Sequence, residues 1–171
     1  MGGKERPAAT PAEALAAMDR LIATSLVAQH AVAQRLGLNI TDLTCMGHIL
    51  GAGPDPMTAG ELAVRADVTT GAITGVVNRL ESAGYVVRRA DPADRRRVRV
   101  VARESAAERI RAVYEPFYAR LGEVFTDYSP DEVAVLAEWL SRTGSLMSGY
   151  LAELREREAT CPPVAPASPA P

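Results

Sequence analysis

The 171-residue chain has two cysteines, two histidines and 5% aromatic residues, and it contains no long hydrophobic run. Cys45 and Cys161 form no CxxC pair, so neither a structural zinc site nor a disulfide framework is expected. His30 and His48 are too few for a metal-rich centre. No apolar stretch approaches the ~20 residues that span a bilayer, and Met1 to Thr10 lacks the apolar core of a secretory signal. The expected setting is therefore the cytoplasm, with no membrane partner. Ser/His/Asp and Cys/His constellations are also missing, as is a glycine-rich phosphate loop, which argues against an enzyme and against a cofactor.

An excess of positive charge is missing too, since the chain carries a net −2. The distribution is uneven, however. Between Tyr85 and Arg103 stand arginines 88, 89, 95, 96, 97, 99 and 103 against Asp91 and Asp94, a local net of +5 that leaves −7 elsewhere. A basic segment on an acidic body is a directed footprint for a polyanion. A solvated charged hairpin would give the same count, so the charge pattern alone does not choose.

Four capping boxes mark helix starts: Thr10 with Glu13, Thr58 with Glu61, Ser105 with Glu108, and Ser129 with Glu132. The spacing predicts a first helix over 11–36, closed by Gly37 in the left-handed position, and a second over 41–50, ended by Gly51, Gly53, Pro54 and Pro56. Helices over 58–65 and 69–83, strands over 85–90 and 97–102, and long helices over 105–127 and 130–156 follow. Pro116 is expected to kink the fifth helix. The ends, 1–10 and the Pro/Ala-rich 157–171, are expected to be disordered. The fold class expected is mainly α with a small β-hairpin, a segment over 38–104 set between helical segments 11–37 and 105–156.

Glu61 to Leu80 reads as helix, tight turn, helix. Leu62, Ala63 and Ala66 face Ile73, Val76, Val77 and Leu80, with Val68 in the turn and Asp67 where the simplest form of the motif has glycine. At ~100° per residue, Gly71, Thr74, Gly75 and Asn78 lie opposite the buried stripe. A solvated helix face would carry Glu and Lys, whereas this one is small, uncharged and able to hydrogen-bond. It can approach the floor of the major groove, where Asn pairs with adenine and Thr offers a hydroxyl or a methyl group. Thr69 and Thr70 open the helix, where backbone N–H groups bind phosphate. Arg79 completes the DNA contacts expected of this helix.

The alternation of Arg97 and Arg99 with Val98 and Val100 indicates a half-buried strand, and Asp91-Pro92 opens a turn. The hairpin has Arg95, Arg96 and Arg97 at its tip, suited to the narrow, negative minor groove, with Asp94 able to orient one of them. Taken together, Glu61-Leu62-Ala63, the run from Val68 to Val86 and the wing Asp91-Pro92-Ala93-Asp94-Arg95-Arg96 resemble the MarR family of bacterial regulators. The resemblance covers all but the tail. It implies a mainly α fold with a small β-wing, with a winged helix-turn-helix over 38–104 and a helical dimerisation domain from 11–37 and 105–156, and a homodimer on a palindromic operator, usually as a repressor. Two positions depart from the family pattern. Ala93 stands where many members have Arg, and no Thr separates wing and fifth helix, so Ser105 is expected to cap that helix.

Apolar stripes on the first helix, the fifth (Val113, Phe117, Leu121, Val124, Tyr128) and the last (Val133, Leu136, Leu140, Met147, Leu151, Leu154) need a partner, which a second copy supplies. The resemblance implies release by a small aromatic or phenolic effector, with His30, His48 and Cys45 as candidate contacts. Two alternatives stand beside this reading: a winged-helix module that binds protein, and a redox-sensing repressor that uses Cys45.

Overall fold

A computed structural model describes residues 8–94 and 97–160. Its elements are α1 (Pro11–Leu36), α2 (Ile40–Gly51), α3 (Ala59–Ala66), α4 (Thr70–Ser82), β1 (Val86–Ala90), β2 (Val98–Ala102), α5 (Glu104–Phe125) and α6 (Pro130–Thr160). The class expected from sequence is thus found: helices with one small antiparallel ribbon. The described residues form two compact units, one up to Ala119 and one from Arg120 onward. The division falls inside α5.

The first unit is built around one core. Leu62, Ile73, Val77, Leu80, Val86, Cys45 and Met46 are fully buried, and Ala33, Leu36, Ala106 and Ile110 bring the end of α1 and the start of α5 into the same cluster. All four residues expected for the buried stripe of α4 are buried. Tyr85 ties three elements together. Its hydroxyl donates to the Leu36 carbonyl at 2.6 Å, and the Arg109 guanidinium lies 4.1 Å from its ring centroid.

Helix ends follow the local chemistry. The boxes at Thr10/Glu13, Thr58/Glu61 and Ser129/Glu132 form, with hydroxyl and carboxylate each accepting from the other residue's N–H. Gly37 closes α1 at φ +69°. The Ser105 box does not form. The α5 helix starts at Glu104, so Ser105 lies inside its first turn, and the Arg103 carbonyl accepts from Ala106 and Ala107. The preceding strand fixes this earlier start, because the Arg103 N–H is already committed to the Tyr85 carbonyl at 2.9 Å. The chain stays helical through Pro116. At the other end α6 runs to Thr160, four residues past its expected end. Residues 1–7 and 161–171 lie outside the described residues.

The β1–β2 register pairs Val86 with Ala102 and Ala90 with Val98. A third segment joins this ribbon: Met57 accepts from the Val100 N–H at 2.8 Å, and Thr58 bridges Arg99. Burial along β2 differs from strict alternation. Val100 is buried but Val98, near the tip, is exposed, while Arg99 is drawn inward. The carboxylates gathered around Arg99 are the reason, as described below.

The second unit consists of the end of α5 and the whole of α6. Val135, Trp139, Leu140, Leu146, Met147, Tyr150, Leu151 and Leu154 are exposed along α6. In the first unit α1 likewise exposes Leu15, Leu21, Ile22, Leu26 and Val27, and α5 exposes Phe117 and Tyr118. Among the described residues no helix is long and apolar enough to cross a membrane.

Candidate nucleic-acid interface

The helix pair that frames the site is set by one backbone conformation. Asp67 adopts φ +55°, ψ +48° at the end of α3, the only non-glycine with positive φ among the described residues. A short polar side chain tolerates this region where a β-branched one does not. Its N–H reaches the Ala63 carbonyl, and Val68 bonds to the same carbonyl at 3.0 Å. The turn thereby closes on the small Ala63, which is buried at the crossing with α4.

Thr69 caps α4, accepting from the Ala72 N–H at 3.2 Å. The N–H groups of Thr70 and Gly71, one residue and two residues into the helix, have no intrahelical acceptor and stand at its positive end. Gly71, Thr74 and Asn78 are exposed and Gly75 is half-exposed, on the side opposite the buried stripe. The Thr74 hydroxyl donates to the Thr70 carbonyl at 3.0 Å, which leaves its lone pairs and its methyl group on the outer face. A Cβ added at Gly71 would meet nothing within 4 Å, and one at Gly75 would meet only Arg79 Nη1 at 3.5 Å. The slimness of this face is therefore not required by packing within the chain.

Arg79 lies beside Gly75 and is anchored to α2. Its Nε and Nη2 donate to both carboxylate oxygens of the buried Asp42 on α2, at 3.2 and 2.7 Å. Half of the arginine side chain stays exposed.

In the wing, Asp91 organises the turn. Its Oδ1 accepts from the N–H groups of Ala93 and Asp94, and its Oδ2 accepts from Arg99 Nε at 2.6 Å. The Ala93 N–H and then the Arg99 guanidinium hold the Asp91 carboxyl below its usual range. Arg99 also donates to the Pro56 carbonyl at 2.6 Å and lies 3.5 Å from Glu61 and 3.7 Å from Asp55. Glu61 in turn accepts from Arg97 at 2.8 Å. The Thr58 N–H and hydroxyl, then Arg97 and Arg99, lower its carboxyl pKa. Arg97, expected at the groove, thus touches α3 in the free chain. Arg95 and Arg96 lie outside the described residues. A second carboxylate, Asp91, fixes Arg99 in the wing. Arg88, on β1, joins Asn78 and Glu81 of α4.

The candidate effector contacts are spread over two helices. His30 is exposed on α1, with Nδ1 2.9 Å from the Leu26 carbonyl. His48 is half-buried on α2 and Cys45, one turn before it, is fully buried. Burial and then the neighbouring Asp42 push the Cys45 thiol up to about 11.

The sequence reading missed Asp42, Arg88, Asp91 as the partner of Arg99, and the hub at Glu61. The Asp42–Arg79 pair is 37 residues apart in sequence and the Glu61–Arg97 pair 36, separations over which periodicity carries no signal. Asp42 was legible only as an acid on the apolar side of a helix.

Two helices joined by a tight turn and followed by a paired ribbon define a winged helix-turn-helix protein. Residues 36–97 match the family model described as the MarR family. A Bacillus subtilis protein named as an uncharacterized HTH-type transcriptional regulator, YcgE, is 36% identical over 138 residues, covering 80% of this chain and 88% of that protein. The chain belongs to the MarR family of transcriptional regulators. Among solved structures, transcriptional regulator Tm0710 from Thermotoga maritima is 25% identical with TM-score 0.55, covering 82% of this chain and 98% of its own. A mutant S. aureus MepR bound to an oligodeoxyribonucleotide shares the fold at 16% identity and TM-score 0.55, over 78% of this chain and 97% of its own.

Proposed function

We propose that this regulator is a homodimeric repressor that binds a palindromic operator in the cytoplasm and leaves it when a small aromatic or phenolic ligand binds. The carrying observation is the outer face of α4. It is exposed, uncharged and slimmer than packing demands, and it stands beside a β-ribbon rich in arginine. Gly71, Thr74, Gly75 and Asn78 read bases, Thr69 and Thr70 take phosphate at the helix start, and Arg79, Arg95, Arg96 and Arg97 contribute charge at the grooves. The oligodeoxyribonucleotide held by MepR supports DNA as the partner.

The exposed apolar residues of α1, α5 and α6 support the second copy, since a monomer does not leave so many large side chains in water without a partner for them. On this reading 11–37 and 105–156 dimerise and 38–104 binds DNA, with half-sites about one helical turn, ~10 bp, apart. His30 and His48 are the proposed polar contacts of the effector. Cys45 is buried in the core, one turn before His48 on α2. Its raised pKa opposes the redox-sensing alternative, because the thiolate is the reactive form.

Selection of bound duplexes from a random pool, followed by titration of the winner, tests this function. The expected result is an inverted-repeat site whose affinity falls steeply between ~50 and ~200 mM salt, with one dimer per duplex by sedimentation. Replacing Arg95 and Arg96 together by Ala flattens that salt slope. Absent or salt-insensitive binding, including to the promoter region of its own gene, would overturn the proposal and favour a protein-binding module.

A further inference from the structure

Arg88 reaches from the wing root into the helix that faces the groove. Its Nη2 donates to Asn78 Oδ1 at 2.7 Å, and its Nη1 pairs with Glu81 Oε2. The other Glu81 oxygen accepts from the Arg88 backbone N–H at 3.3 Å. One carboxylate thus holds both the backbone and the side chain of Arg88, and the arginine holds Asn78. About a third of the Arg88 side chain is exposed.

The chemistry of the bridge sets a direction. An unrestrained asparagine on a helix surface samples several rotamers, and its amide can turn over, exchanging donor for acceptor. A guanidinium has donors only. It therefore accepts one amide orientation, with the oxygen toward Arg88 and the NH2 group away from it. Glu81 keeps the guanidinium from following solvent.

We propose that Arg88 is a positioning residue that fixes the rotamer and the polarity of the Asn78 amide, so that Asn78 meets the major groove as an oriented donor to an acceptor edge such as purine N7. This rests on the proposed base-reading role of Asn78. Ordering that side chain before DNA arrives removes a cost that binding would otherwise carry. It also makes the wing root part of the recognition surface: β1 sets what α4 reads.

The experiment measures relative affinities for duplexes carrying all four base pairs at each half-site position, for the full chain and for Asn78→Ala, Arg88→Ala, Arg88→Lys and the double variant Asn78→Ala/Arg88→Ala. Asn78→Ala is expected to lose discrimination at one position, by about tenfold, in the range of one good side-chain contact to a base. Arg88→Ala is expected to lose most of it at that same position, and to add nothing there once Asn78 is already Ala. Arg88→Lys keeps the charge but cannot fork between Asn78 and Glu81, so its loss falls between. A uniform loss with Arg88→Ala that Arg88→Lys restores would mean a phosphate contact and would overturn the proposal. Independent, additive losses at the Asn78 position would overturn it too. A flat profile for Asn78→Ala would remove the base-reading role itself, and this proposal with it. Thermal melts show which variants fold, and Arg88→Lys provides the reading if Arg88→Ala does not.

Discussion

Arg79, on α4, is held at two nitrogens by Asp42, a carboxylate that is 4% exposed in the first turn of α2. The pair braces α4 against α2 and accounts for an acid on an apolar helix face. Removing one partner leaves the other uncompensated, whereas removing both leaves none. Arg79→Met alone is therefore expected to lower the urea midpoint more than Arg79→Met combined with Asp42→Leu. A double variant as unstable as the sum of the single changes would show that the pair is not coupled.

Tyr85 gives a second strut. Its hydroxyl supplies the Leu36 carbonyl with a donor in a site from which water is excluded. Tyr85→Phe removes only that donor and is expected to cost about 1–2 kcal/mol in denaturant unfolding. DNA affinity at saturating stability should not change. An unchanged midpoint would mean that the carbonyl finds another donor.

Asp91 and Glu61 predict an acid limit where the wing meets α3. Both carboxyls are lowered in the folded chain, Asp91 first by the Ala93 N–H and Glu61 first by the Thr58 N–H. A lowered folded pKa contributes stability that is present above the unfolded value, ~4, and that disappears as pH falls through the folded value. The gap in stability between the wild-type chain and Asp91→Asn is thus expected to be widest above pH ~5 and to narrow toward pH ~3. Urea melts at stepped pH measure it, and a constant gap would contradict the assignment.

Cys45 should be inert in the folded chain. At about 11, with the side chain fully buried, it is almost entirely thiol near neutral pH. In a Cys161→Ser variant, a maleimide is expected to modify Cys45 only as fast as the domain opens, and promptly in denaturant. Rapid labelling of the native protein would revive a redox role.

Local chemistry carried most of the fold. Three of the four capping boxes, the left-handed Gly37, the strained turn at Asp67 and the buried stripe of α4 all depend on residues within a few positions of one another, and each is readable from spacing. The failure at Ser105 has a long-range cause, since the Tyr85 carbonyl claims the Arg103 N–H and starts α5 one residue early. The exposure of one uncharged α4 face, at Gly71, Thr74, Gly75 and Asn78, was readable from composition and spacing. The site was not readable where it rests on partners brought together by folding. Arg79 reaches Asp42, Arg97 reaches Glu61, and Arg99 is pulled inward by Asp91, so that Val98 rather than Arg99 faces solvent.

The most direct test concerns the two glycines of α4. Within the fold, alanine fits at both Gly71 and Gly75, and alanine favours a helix over glycine by about 0.5–1 kcal/mol. If this face lies against the groove floor, each added methyl group occupies space that the bases need. The Gly71→Ala/Gly75→Ala variant is expected to melt higher than the wild-type chain and to bind its selected duplex at least about tenfold more weakly. A variant that gains stability and keeps full affinity would contradict the account, because the slim face would then not be what meets DNA.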